Sequence, residues 1–224
     1  MTVSIASRCG RTGMFGVAVV SSSPAVAARC AHVRAGVGAA CTQNVTDPRL
    51  GPVLLDALAS GNGAEAALGA AVAATPHVAY RQLSLVDVQG TARAYSGAHT
   101  LGTHAFVTGP GVVAAGNLLA SEAVPQAMVS AFLDRPQDHL GDRLMAALRA
   151  AAGAGGEQGP VRSGGLLIAD VVPWPVTDLR VDHADDPISG LAALWELWRP
   201  LADDYVTRAL DPDAAPSFGV PGDR

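Results

Sequence analysis

The order of its predicted elements places this chain in the α+β class. Strand patterns fall together and helix patterns fall together, in blocks: strands, two helices, strands, two helices, strands, and a closing helix. Blocks of this kind argue for layered sheets and helices rather than a wound parallel sheet, and two sheets between helix layers accommodate the order. The second observation is hairpin chemistry, with alternating apolar runs joined by short Gly-containing turns. The third is bulk: 224 residues, 49% hydrophobic and 16% charged, suffice for one domain with a substantial core, expected over residues 1–210.

The first strand is Met1 to Arg8, where Val3 and Ile5 alternate with Thr2 and Ser4. Cys9 to Gly13 supplies the turn, and Met14 to Ser21 returns. Ser21-Ser22-Ser23-Pro24 is a polar break; Ala25 to Val33 fits neither period. Val37 to Gln43 is the third strand, with Gly36 and Gly38 marking close backbone approach. Asp47-Pro48 opens a helix with Leu50, Leu54, Leu55 and Leu58 on one face, and Gly61-Asn62-Gly63 ends it before an Ala-rich helix from Ala64 to Ala74. Tyr80 to Val88 and Ala92 to Ser96 form a hairpin around Gln89-Gly90. Short strands follow at 105–107 and 112–115, then helices over 121–133 and 140–152, separated by Asp134-Arg135-Pro136. A flexible glycine-rich loop (153–159) leads to strands at 164–172 and 179–182. Asp186 caps a last helix with Pro187 at its first position, and Pro200 divides it. Its stripe of Leu191, Leu194, Trp195, Leu197 and Trp198 is suited to core or to a subunit interface, so a homo-oligomer is expected. The Pro-, Gly- and Asp-rich tail over 211–224 is expected to be disordered.

Composition excludes several function classes. The net charge is −5 and aromatics make up 4%, so neither a phosphate-binding surface nor a base-stacking platform is expected. All fifteen basic residues are Arg. No run approaches membrane-spanning length, and the weak likeness of residues 14–27 to a signal peptide is better explained by a strand interrupted at Gly16. Cys9, Cys30 and Cys41 lack a disulfide spacing and fit a reducing cytoplasm. Cys30, His32 and Cys41 lack paired spacing and a fourth ligand, so no metal and no cofactor are expected. His99 and His104 have no partner pattern, and Asp182, Asp185 and Asp186 suit capping and solvation.

Chemistry enters at Thr2. A small second residue permits removal of Met1, which would leave a hydroxyl and a free α-amine on one residue. An α-amine titrates near ~8, close enough to neutrality to serve as a base, and the pair is the minimal unit of N-terminal threonine catalysis. The same threonine also suits the start of a strand.

Seven segments resemble one family. They are Thr2-Val3-Ser4-Ile5-Ala6, Gly16-Val17-Ala18-Val19, residues 34–39 through Thr42-Gln43, Leu50-Gly51-Pro52, Tyr80-Arg81-Gln82-Leu83, Gly116-Asn117-Leu118-Leu119-Ala120 and Asp178-Leu179-Arg180-Val181-Asp182. Together they resemble the DUF1028 family over roughly residues 2–200. That resemblance implies the N-terminal nucleophile (Ntn) hydrolase superfamily and its four-layer αββα sandwich. It implies Thr2 as nucleophile, with its own amine as base. The superfamily usually places a lysine on the third strand; this chain has none, and Arg34 stands at the corresponding place. An arginine there can steady an oxyanion or a substrate carboxylate but cannot relay a proton. Backbone N–H groups near Thr42-Gln43 and Gly116-Asn117 are the implied oxyanion donors, worth about 3 kcal/mol each in a transition state. Asn117 is also suited to be an ordinary helix cap. Ser163 resembles the serine that supports the nucleophile's amine.

The expected function is therefore amide hydrolysis in a small, anionic substrate, in the cytoplasm, without nucleic acid or membrane partners. The rival is a catalytically silent protein of the same fold that binds a small metabolite or serves in an assembly. A weaker third alternative is a metal-dependent hydrolase using His and Asp residues.

Overall fold

The computed structural model describes residues 2–216. The chain opens as an antiparallel hairpin, β1 (Thr2–Arg8) and β2 (Phe15–Ser21), turned through Gly13 at φ 82°, a left-handed conformation natural to glycine. The segment without a clear period resolves into a four-residue helix α1 (Ala27–Cys30) and a short strand β3 (Ala31–Arg34). The strand expected third is therefore the fourth, β4 (Gly38–Asn44). Helices α2 (Leu50–Ala59) and α3 (Ala64–Ala73) follow, then β5 (Arg81–Asp87), β6 (Ala92–Ser96), β7 (Ala105–Gly109) and β8 (Val112–Asn117). Helices α4 (Val124–Leu133) and α5 (Leu140–Gly153) precede β9 (Ser163–Ala169), β10 (Thr177–Val181), α6 (Pro187–Trp198) and α7 (Ala202–Leu210). The protein is a mixed α+β fold with two antiparallel sheets and, among the described residues, seven helices.

The larger sheet runs β10-β9-β2-β1-β8-β7, which places the first strand at its centre; the smaller runs β3-β4-β5-β6. Alternation along each strand divides the apolar residues between two faces. Val3, Ile5, Ala18 and Ile168 join Met128 and Phe132 of α4, Leu144 and Leu148 of α5, and Leu191 of α6 in one core. Ala40, Leu83 and Leu85 join Leu50, Leu54 and Leu55 of α2 and Ala67 and Ala71 of α3 in a second. Phe15, Val17 and Val19 meet Ala39, Cys41 and Val86 in a third, between the sheets. Burying a side chain the size of Leu54 contributes about 2 kcal/mol. Gly38 allows β4 its close approach: a Cβ there would lie 2.8 Å from the Val86 carbonyl and 2.6 Å from Leu58 Cδ1.

Asp186 caps α6 as its spacing predicts, its Oδ1 accepting the Ser189 N–H at 3.1 Å with Pro187 in the first turn, and the helix ends before Pro200. The tryptophan stripe takes the first of its two expected uses, as core. Trp195 is 2% exposed and donates to Asp142 Oδ1 at 2.8 Å, while Trp198 donates to the Val176 carbonyl at 3.1 Å and lies on Tyr205. Leu191, Trp195 and Trp198 are thus used inside the chain, while Leu194 and Leu197, 36% and 69% exposed, face outward. Of the expected disordered tail, 212–214 form a single 3₁₀ turn, and 217–224 lie outside the described residues, as does Met1.

Candidate functional site

The space between the sheets is apolar at one end and polar at the other, and Thr2 opens the polar end. Val3 and Ile5 point to the helix side of the larger sheet, so period-2 alternation turns Thr2 and Ser4 toward the smaller sheet. In register, Thr2 lies opposite Ser21 of β2 and Asn117 of β8, and Ser21 lies opposite Ser163 of β9. Ser163, Ser21, Thr2 and Asn117 therefore form a polar row across four adjacent strands. Thr2 is 5% exposed and its three neighbours in the row are fully buried.

Behind the row stands an amide network. Ser4 Oγ donates to Gln43 Oε1 at 2.6 Å, and Gln43 Nε2 donates to Gln82 Oε1 at 2.8 Å and to the Ala115 carbonyl at 3.3 Å. Gln82 Nε2 donates to Ser96 Oγ and to the Gly116 carbonyl, each at 3.0 Å, while Asn117 Nδ2 donates to Gln82 Oε1 at 3.1 Å. Both glutamines thus have every polar end engaged. Asn117 Oδ1 is buried and unpartnered among the described residues.

A cation reaches the row through hydroxyls. Arg29 Nη2 donates to Ser23 Oγ at 2.7 Å, the Ser23 and Ser21 hydroxyls are 2.9 Å apart, and those of Ser21 and Thr2 are 3.3 Å apart. Arg29 only donates, and the Ser23 N–H also donates to Ser21 Oγ at 3.2 Å; either hydroxyl of each pair can be the donor, and one arrangement runs their protons toward Thr2. Such an arrangement favours negative charge developing on Thr2 Oγ1. Arg29 is anchored by the carbonyls of Pro24 and Ala25 at 2.8 and 2.9 Å.

Glu157 is the buried carboxylate of this end, 6% exposed. Its Oε2 accepts the Ser22 N–H at 3.3 Å, and its Oε1 is buried without a partner among the described residues. Burial pushes its carboxyl up to about 7, against a smaller downward pull from the charge of the chain's terminal amine. It lines a cavity of 160 Å³ with Val3, Val20, Ala151, Val161 and Ile188.

The residues expected in the site separate into two groups. Thr2, Gln43, Asn117 and Ser163 come to the polar end. Ser163 is one strand beyond Ser21, about 9–10 Å from Thr2 at two strand spacings. It holds the following loop, donating to the Ser23 carbonyl at 2.7 Å and accepting the Val26 N–H at 3.1 Å. Thr42 turns to the opposite face of β4, where its hydroxyl donates to the Asp47 carbonyl at 3.2 Å. Gly116 faces the helices, with room for no Cβ beside Leu119, and offers the site its carbonyl, an acceptor. Arg34 pairs with Gly38, five residues along β4 from Gln43, about 17 Å at strand rise, and forms a half-exposed ion pair with Asp56 at 2.8 Å. It does not reach the Thr2 end.

Sequence reasoning passed over Ser21, Ser23, Arg29, Gln82 and Glu157. The hairpin register, Thr2 opposite Ser21, was the available signal for the first; Ser23 and Arg29 depend on how the aperiodic segment folds back within six residues, and Gln82 and Glu157 on contacts between distant segments. His99 packs on Tyr80, and His104 Nδ1 lies 2.9 Å from the Gly102 carbonyl. Among the described residues no three His, Cys, Asp or Glu side chains converge as metal ligands, and all three cysteines are buried and free. No helix among them is long and apolar enough to cross a membrane.

No curated protein matches the chain. Among solved structures, the crystal structure of protein SPO2555 from Silicibacter pomeroyi is similar, with a TM-score of 0.83 and 28% identity over 91% of this chain and 94% of that one. That structure carries the same family designation as the profile that residues 2–191 match. On that match the chain belongs to DUF1028, a family of unknown function.

Proposed function

We propose that the protein is an Ntn-type amidohydrolase with an αββα sandwich, in which Thr2 cleaves the amide bond of a small substrate. The observation that carries this reading is the Thr2 hydroxyl, held at the start of the central strand in a hydrogen-bonded line that ends on Arg29. After removal of Met1, the α-amine would take the proton of Oγ1 as that oxygen attacks the substrate carbonyl. The amine would then return the proton to the leaving nitrogen, and water would hydrolyse the resulting ester to free Thr2. The line from Arg29 would lower the cost of negative charge on Oγ1, and the second Nδ2 hydrogen of Asn117 would be a donor for the oxyanion. Arg29 rather than Arg34 is the cation of this proposal, and with Arg34 committed to Asp56 the substrate need not be anionic.

The rival reading, a silent protein that binds a small metabolite, draws on the slight exposure of Thr2. Self-association and a cytoplasmic location belong to the same proposal, the second resting on three buried free thiols. The test is a screen of small chromogenic amides with protein whose intact mass lacks Met1, beside Thr2→Ala. Loss of all turnover in Thr2→Ala, with its circular dichroism unchanged, is expected. Equal turnover in both proteins would overturn the proposal, and thermal stabilisation by an amide that neither protein cleaves would favour the rival.

A further inference from the structure

Residue 157 is tied to both strands that flank β1, just past their partners of Thr2. On one side, its backbone bridges Leu119, two residues beyond Asn117, the β8 partner of Thr2. On the other, its carboxylate takes the N–H of Ser22, the residue after Ser21, the β2 partner of Thr2. The direction of that bond is informative. The Ser21 carbonyl accepts the Arg162 N–H at 2.7 Å, from the β9 side of β2. All described peptide bonds are trans, and across a trans peptide the C=O and the following N–H point in opposite directions. The Ser22 N–H therefore points to the β1 side, and the Glu157 carboxylate sits there, about one strand spacing from the line of β2 and beside the backbone nitrogen of Thr2.

We propose that Glu157 is the positioning residue for the α-amine of the processed chain: once Met1 is removed, the new ammonium of Thr2 donates to Oε1, the buried oxygen without a partner among the described residues. The inference rests on the reading of Thr2 as an N-terminal residue, but not on its activity. Glu157 and the amine share one proton. The pair exists as carboxylate and ammonium, or as carboxylic acid and neutral amine; the second form frees the nitrogen lone pair for the Oγ1 hydrogen. Other charges around it are engaged elsewhere. Arg162 pairs with Asp185, and Arg29 is held by the carbonyls of Pro24 and Ala25 and by Ser23. The remaining walls of its cavity, from β1, β2, α5, the 155–161 loop and Ile188 of α6, carry no titratable side chain.

The chain has no lysine, so its α-amine is the sole primary amine and one isotopic methyl label reports it alone. The full chain is released from a cleavable fusion so that it begins at Thr2, is singly ¹³C-methylated, and is titrated by NMR beside Glu157→Gln. An opposite charge within about 4–6 Å shifts a titration by about 1–3 units. The amine midpoint should fall by about one unit or more in Glu157→Gln; equal midpoints would overturn the proposal. As a second readout, carboxyl ¹³C of Glu157 is titrated in the Thr2-first chain before and after acetylation of its amine. The midpoint should rise on acetylation, and an unmoved midpoint would overturn the proposal even if Glu157→Gln fails to fold. A shifted amine in a protein without amidase activity would sink the catalytic reading and leave this one standing.

Discussion

Gln43 carries the join between the two sheets at the polar end, and replacing it with leucine tests whether that end is a connected network. Gln43→Leu keeps roughly the same volume but removes three hydrogen bonds: from Ser4 at 2.6 Å, to Gln82 at 2.8 Å and to the Ala115 carbonyl at 3.3 Å. Gln82 Oε1 retains Asn117 Nδ2, so it is not orphaned, whereas the fully buried Ser4 hydroxyl loses its acceptor. The two bonds from Gln43 Nε2 cost about 1 kcal/mol net each and the orphaned Ser4 hydroxyl about 1–3 kcal/mol, giving a destabilisation of about 3–5 kcal/mol. For a chain of this size that lowers the melting temperature by roughly 6–20 °C. Urea unfolding of four proteins completes the test: the parent, each single variant, and Gln43→Leu with Ser4→Ala. The double variant should recover about 1 kcal/mol, because it has no stranded hydroxyl. Gln43→Leu within about 0.5 kcal/mol of the parent, or strict additivity in the cycle, would refute the network.

Further outcomes follow from the same structure. In the chain that keeps Met1, the Glu157 carboxyl is raised from 4.5 to about 7 by burial, so the folded state holds more protons than the unfolded one between those values. Stability should be complete at the acid side of that window and fall as pH rises through it, by up to about 3 kcal/mol relative to Glu157→Gln; parallel pH profiles for the two proteins would contradict this. Trp195→Ala empties a site lined by Gly141, whose position has no room for a Cβ against the indole, and should cost about 3–5 kcal/mol without changing mass by light scattering. A fall in oligomer size in that variant would return the stripe to a subunit interface. The Cys41 thiol is fully buried and pushed up to about 12, so a thiol reagent should modify it only after denaturant is added, and rapid labelling in native buffer would count against the fold at β4.

The hairpins and the paired helices were legible because each element is long enough to show its period. Residues 27–34 were not, since four residues of helix followed by four of strand complete neither pattern. The adjacent pairs were named for their backbone N–H groups; their side chains divide, because successive side chains along a strand face opposite ways, so Gln43 and Asn117 point into the site while Thr42 points away and Gly116 faces the helices. Arg34 was placed by correspondence with the superfamily's third-strand lysine, but it ends the extra strand β3, and the tight turn to Gly38 puts it at the far end of β4 from Gln43. Arg29 and Glu157 lay in segments read as aperiodic and as a glycine loop. Their importance comes from contacts across 6 to 135 residues of chain, which no local pattern records.

The most direct test of the account is covalent capture at Thr2. Protein whose intact mass lacks Met1 is incubated with a small β-lactone, which acylates an activated hydroxyl by opening its ring, and is then digested and sequenced by mass spectrometry. One adduct on the N-terminal peptide, localised to the Thr2 oxygen, absent from Thr2→Ala and slowed in Arg29→Ala, is the predicted result. A processed protein that remains unmodified, or that carries the adduct elsewhere, would contradict the assignment of Thr2 as nucleophile.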